Sequence, residues 1–208
     1  MLITDLQYFG TISHIQSLLK EEKVYFDNQH PFSKMSFKNR MVIATAQGPL
    51  NLTIPIIGGR DQKSPIQDIQ IAYDSPWHEQ HYKALVSNYQ RSPYFEYYQD
   101  DLKAMYATKP KMLIEFLMNA HIWTKKQTKG KWIILNVETN INTDISTVTD
   151  VQRREFDPYL PKNYQSYPNA VKYQQVFEDK INFIPNLSVL DLLFNCGGKQ
   201  ANQLLLSV

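Results

Sequence analysis

At 208 residues with a net charge of +2, the chain has the length of one domain, and its charge argues for no particular polyanion. Hydrophobic residues make up 43%, enough for a sizeable core, and the thirteen tyrosines each bring a hydroxyl that needs a partner when buried. One cysteine, Cys196, excludes an intrachain disulfide and suits a reducing compartment. No apolar run is long enough for a signal peptide or a membrane span, so a cytoplasmic protein is expected.

In chain order, residues 2–6 read as a strand and residues 12–20 as a helix with Ile12, Ile15 and Leu18 inward, the opening of an α/β unit. Residues 24–26 are the next strand. They end in the polar run Asp27-Asn28-Gln29-His30-Pro31, the kind of loop past a strand end where ligands sit in open α/β sheets. Residues 41–46 and 50–57, split by Gln47-Gly48-Pro49, read as a hairpin. The loop from Gly58 to Pro65 matches no phosphate-binding motif and is read as a mobile hairpin exit. Residues 66–73 alternate imperfectly and are expected to be a strand.

The densest stretch is 76–98, with two of the five histidines and five tyrosines. Ser75-Pro76 is a helix start, and Pro93 stops that helix near Arg91. Trp77, His81, Leu85 and Asn88 share one stripe, and His78, Tyr82, Leu85 and Tyr89 the adjacent one. Ser92-Pro93 opens a second helix ending near Ala107, and a third covers 112–124. His78 and His81 have metal-ligand spacing but lack a readable third ligand, so no metal and no cofactor is expected. The basic run 125–131 is read as a solvated helix end, not a nucleic-acid surface. Residues 132–137 look like a strand, 138–172 like a polar excursion, and 173–177 like a short helix. Ser188 caps a final helix over 189–195, closed by Asn195 and Gly197-Gly198. The expectation is one mixed α/β (α+β) domain over 1–208. A mainly sheet part over 1–73 packs on helices over 76–124, and the segment 173–208 docks back.

Several blocks in this order resemble the WbqC-like family. They are Gln7-Tyr8-Phe9, Tyr25-Phe26-Asp27, Asn39-Arg40, the strand ending at Pro55, Trp77 with His81 and Tyr82, Ser92-Pro93-Tyr94-Phe95, and Pro185-Asn186-Leu187-Ser188 with Asp191-Leu192-Leu193-Phe194-Asn195. The chain lacks the two prolines common in the family's first block, and Tyr82 stands where a tryptophan is frequent. The resemblance implies a bacterial protein of surface-polysaccharide (O-antigen) biosynthesis and an acyl or aminoacyl transferase acting on a nucleotide-linked amino sugar. The alternative is a non-catalytic sugar-nucleotide binder or assembly partner. On the enzyme reading His81 is the candidate base, Asp27 orients it or the amine, and Asn39 is an oxyanion donor. Lys34 and Arg40 are candidates to hold a diphosphate. Tyr8, Tyr25 and Trp77 are candidates to stack on a ring, and Gln7, Tyr82 and Tyr94 complete the substrate-binding set. Cys196, late in its helix, is not expected to be a nucleophile. The expected partner is a small molecule, with neither nucleic acid nor membrane.

Overall fold

The structure, a computed structural model, describes residues 1–59, 62–135, 153–154 and 160–207. It is mixed α/β, with a C-terminal helix docked back on the N-terminal part. Strand β1 (Leu2–Thr4) leads through helix α1 (Ile12–Leu19) to β2 (Lys23–Phe26), and the two strands pair in parallel, Ile3 opposite Tyr25. The sheet is completed from far along the chain. β5 (Ile133–Ile134) joins β2 and β6 (Arg153–Arg154) joins β1, both parallel, giving the order β5-β2-β1-β6. Residues 1–73 therefore supply only half of this sheet. Their other strands, β3 (Arg40–Thr45) and β4 (Gly48–Thr53), form the expected hairpin as a separate antiparallel pair. Gly48 turns that hairpin at φ 112°, a conformation natural to glycine.

Residues 66–73 are not a strand. Pro65 opens a single 3-10 turn, Ile66–Asp68, and only isolated bridges from Gln70 to Met112 and from Ile71 to Ile56 follow. Helix α2 (Trp77–Tyr89) starts on Pro76 with no side-chain cap, so Ser75 does not act as one. It buries both predicted stripes, with Trp77, His78, His81, Leu85 and Tyr89 all inward. Asn88 is half-buried and returns its amide to the Ala84 carbonyl at 2.8 Å. Helices α3 (Glu96–Ala107) and α4 (Leu113–Gln127) follow as expected. Residues 173–177 are not helical. Gln175 uses its side chain to pair with both the N–H and the carbonyl of Ile184, each at 2.8 Å, and the short helix α5 (Glu178–Ile181) comes after it. The strand expected to run on to 137 and most of the excursion over 138–172 lie outside the described residues.

The final helix, α6 (Val189–Leu206), runs well past 195 because Ala201 and Leu205 continue its buried face. It is broken at Gly197, whose φ of 70° and ψ of 162° are open to glycine alone. Ser188 caps it by accepting from the Leu190 N–H, and Thr11 caps α1 by accepting from His14. The two caps face each other. Ile12 N–H donates to Leu187 O at 3.0 Å and Val189 N–H to Gly10 O at 2.9 Å, so the N-terminal and C-terminal helix starts are one backbone junction. A Cβ on Gly197 would lie 2.8 Å from the Tyr94 ring. Gly197→Ala is therefore expected to lose about 3 kcal/mol, combining backbone strain with a clash, and thermal unfolding monitored by circular dichroism checks it.

Candidate functional site

In this parallel sheet the chain steps outward from β1 to β2 and β5, while β6, later in sequence, lies on the opposite side of β1, so the strand order reverses there. Ligands of open α/β sheets sit outside the carboxyl ends of the strands at such a switch point. The residues immediately beyond those ends are Asp5 after β1 and Asp27 after β2. Asp27 N–H extends the ladder to Thr4 O at 2.9 Å, and its carboxylate accepts from the Gln29 N–H at 3.0 Å, which shapes the loop. Asp5 is the hub. Its Oδ1 accepts from His30 Nδ1 at 2.6 Å and lies 3.1 Å from Lys38 Nζ. Lys38 is only 1% exposed, a buried cation whose ammonium also donates to Pro31 O at 2.9 Å. Such a charge is tolerable only because it is paired and hydrogen-bonded. The His30 side chain keeps 30% of its surface. It lines a cleft of about 420 Å³ with Lys34, Ser33, Gln62 and Lys63. A ring fixed by a carboxylate and flanked by two lysines suits an anionic ligand.

The loop that carries Asp5 also carries Tyr8, and behind it lies a closed cluster of rings. Tyr8 Oη bonds His81 Nδ1 at 2.9 Å and shares a short hydrogen bond with Tyr106 Oη. Trp77 stands edge-on to His81 and to Phe116. Burial, with His78 beside it, lowers the His81 pKa to about 4, so the ring is neutral at pH 7. Burial and the neighbouring Tyr106 hold the Tyr8 phenol well above its usual value. Tyr8, Trp77 and His81 are thus brought together, with Tyr82 at the margin, 6.3 Å from the Tyr106 ring.

The remaining predicted residues are dispersed. Gln7 Oε1 accepts from the Thr11 N–H at 3.0 Å, in the turn before α1. Tyr25 is buried on β2. Asn39 Nδ2 donates to Ile54 O at 2.8 Å, fastening the end of β4. Arg40 opens β3, with Nη1 3.5 Å from Met35 Sδ and its Nε finding no partner among the described residues. Lys34 lies in the strand-end cleft. Tyr94 is remote from all of these, in a second cleft against Gly197. Sequence reasoning gave no role to Asp5 or Lys38, and it placed Tyr106 on an inward helix face without a site role. It noted the loop holding His30 but gave that histidine no role. Asp5 fell inside the strand expected over 2–6, whereas β1 ends at Thr4 and leaves Asp5 just past its carboxyl end.

What the geometry defines is a mixed α/β protein with a cationic cleft at the carboxyl ends of parallel strands. The chain matches the model of the WbqC-like protein family over residues 6–157 and 160–203, and it belongs to that family. It is similar to uncharacterized protein Rv1507c of Mycobacterium tuberculosis (strain ATCC 25618 / H37Rv), at 26% identity over 221 residues, 95% of this chain and 91% of that protein. No solved structure matches it. Family membership points to a polysaccharide-related role. Among the described residues no helix is long and apolar enough to cross a membrane, and no group of three or more metal-ligating side chains occurs.

Proposed function

We propose that the strand-end cleft binds the diphosphate of a nucleotide-linked amino sugar, and that the protein transfers an acyl or aminoacyl group to the sugar amine in the cytoplasm. The observation that carries this reading is the Asp5–His30 contact at 2.6 Å, beside Lys34 and Lys63 in one cleft. The lysines meet the phosphate charge. The carboxylate orients the imidazole, as general-base geometry requires. The amine nitrogen bonds to the acyl carbon, the donor's acyl–oxygen or acyl–sulfur bond breaks, and the amine proton passes by way of His30 to the leaving group. His81, enclosed and neutral, supports the loop through Tyr8 in this scheme and does not meet the substrate.

Calorimetric titration with UDP-linked amino sugars tests the binding. Lys34→Ala/Lys63→Ala is expected to weaken it about ten-fold or more, each lost charge-assisted bond removing 1.5–3 kcal/mol at most. His30→Gln is expected to keep affinity while turnover drops about a hundred-fold or more. Unchanged affinity in the double lysine variant overturns the site. Unchanged turnover in His30→Gln, or its loss in His81→Ala with binding and melting temperature intact, moves the base to His81. Saturable binding without any turnover of acyl donors marks a sugar-nucleotide binder instead.

A further inference from the structure

A second cleft, of about 810 Å³, lies between the start of α3, the C-terminal end of α4 and the middle of α6. Tyr94, Tyr97, Tyr98, Lys126, Lys129 and Lys199 face it, and its lining contains no carboxylate. None of these three lysines has a hydrogen bond or ion pair from its side chain among the described residues. Three cations that have no paired carboxylate among the described residues, gathered around one concavity, create a local positive potential that the chain's small net charge does not suggest. The floor is formed by the break in α6. Gly197 interrupts the helix, and residues 198–206 restart it with their positive dipole end at the cleft. The close approach of α4 requires glycine here, because a Cβ on Gly198 would lie 2.2 Å from Gln127 O. Above this floor stand two rings with little cover. Tyr97 is 78% exposed and Tyr94 37%, with centroids 6.0 Å apart. Exposed tyrosines beside lysines offer a flat apolar face next to an anion site, and the volume lies in the range of small-molecule pockets.

We propose that this cleft is a second binding site, distinct from the strand-end cleft, for the pyrophosphate and adjoining planar ring of a nucleotide. Lys126, Lys129 and Lys199 with the restarted helix take the phosphates, and Tyr97 with Tyr94 stacks on the base. A free nucleoside diphosphate and the nucleotide part of a larger donor share this chemistry.

The test uses the full chain carrying Lys34→Ala/Lys63→Ala, so that binding at the first cleft is weakened, titrated by calorimetry with ADP, UDP, a UDP-sugar and inorganic pyrophosphate. Saturable binding is expected to persist in that background and to weaken about ten-fold or more when Lys126→Ala and Lys199→Ala are added, with an unchanged melting temperature. Tyr97→Ala is expected to weaken ADP and UDP but not pyrophosphate. UDP binding as well as the UDP-sugar identifies a free-nucleotide site, and a marked preference for the UDP-sugar identifies the nucleotide part of a larger ligand. Absence of saturable binding in the Lys34→Ala/Lys63→Ala protein overturns the proposal, as does indifference to Lys126→Ala/Lys199→Ala. A single-stranded oligonucleotide binding far more tightly than any mononucleotide overturns it in favour of a nucleic-acid surface.

Discussion

Between about pH 6 and pH 4.5 the protein is expected to lose stability at about 3 kcal/mol per pH unit, and His14→Leu/His121→Leu is expected to make that dependence nearly flat. His14 and His121 are fully buried side by side, with their Nε2 atoms 3.4 Å apart and rings stacked, and His121 also packs on Phe26. Burial lowers the His14 pKa to about 4, against an opposing pull from Asp5. Burial, with His14 beside it, lowers that of His121 well below its usual value, and His81 is also held near 4. In the unfolded chain all three bind protons below about 6.5. Their stabilising contribution is therefore whole above that pH and is lost as the pH falls toward the folded values. Asp191 acts with the opposite sign. Its folded pKa is raised to about 6 by burial, so its contribution is whole below the unfolded value near 3.8 and is lost as pH rises through 6. In the window between, the unfolded state holds three extra protons and the folded state one, a net of two. The double variant leaves one against one. Urea titrations at three pH values measure the slope, and an undiminished slope in the variant would place the acid sensitivity elsewhere.

Asp191→Ala is expected to cost about 3–5 kcal/mol, a large fraction of the 5–15 kcal/mol typical of a folded domain. The carboxylate is 0% exposed and accepts from Tyr89 Oη at 2.6 Å and from Tyr173 Oη at 2.7 Å. Tyr89 Oη in turn accepts from the Ala44 N–H at 2.9 Å, and Tyr173 Oη from Gln175 Nε2 at 3.1 Å. One side chain thus ties α6 to α2, to the hairpin and to the segment around 173. Alanine leaves two buried phenols without an acceptor. Asp191→Asn keeps one oxygen and is expected to cost less, about 1–3 kcal/mol. Tyr173→Phe is expected to destabilise the wild type by about 1–2 kcal/mol but to cost almost nothing on top of Asp191→Ala, because the lost bond is shared. Chemical denaturation of the four proteins gives the cycle, and strict additivity would refute the network.

Elements carried by local periodicity were readable before any coordinates. The stripe of α2, the corner at Pro93 and the hairpin split at Gly48 all follow from spacing and turn chemistry. The sheet was less legible because β5 and β6 are two residues each, too short for alternation to register. The continuation of α6 was hidden by Gly197-Gly198, which reads as a helix stop. The packing of Gly198 against Gln127 O, which turns that stop into a kink, is not local. The candidate site followed the same division. The polar loop over 27–31 announced itself by lying past a strand. Asp5, Lys38 and His30 meet only through tertiary placement, as do Tyr8 and His81, which are 73 positions apart. The role of Asp191 could not be read from its helical first turn, since its donors lie 102 and 18 positions away.

The junction between the caps of α1 and α6 has a consequence for biosynthesis. Thr11 bridges Ser188, and Leu2 is registered with Arg153, so residues translated early wait for partners translated more than a hundred residues later. At about 5–20 residues per second, roughly 9–35 s separate the emergence of Thr11 from that of Ser188. Until Arg153 and Arg154 emerge, late in that interval, β1 can pair with β2 alone, and its other edge stays open to a neighbouring nascent chain. The architecture therefore couples yield in the cell to chaperone cover during translation, and makes slow, non-local closure the step that heterologous expression must accommodate.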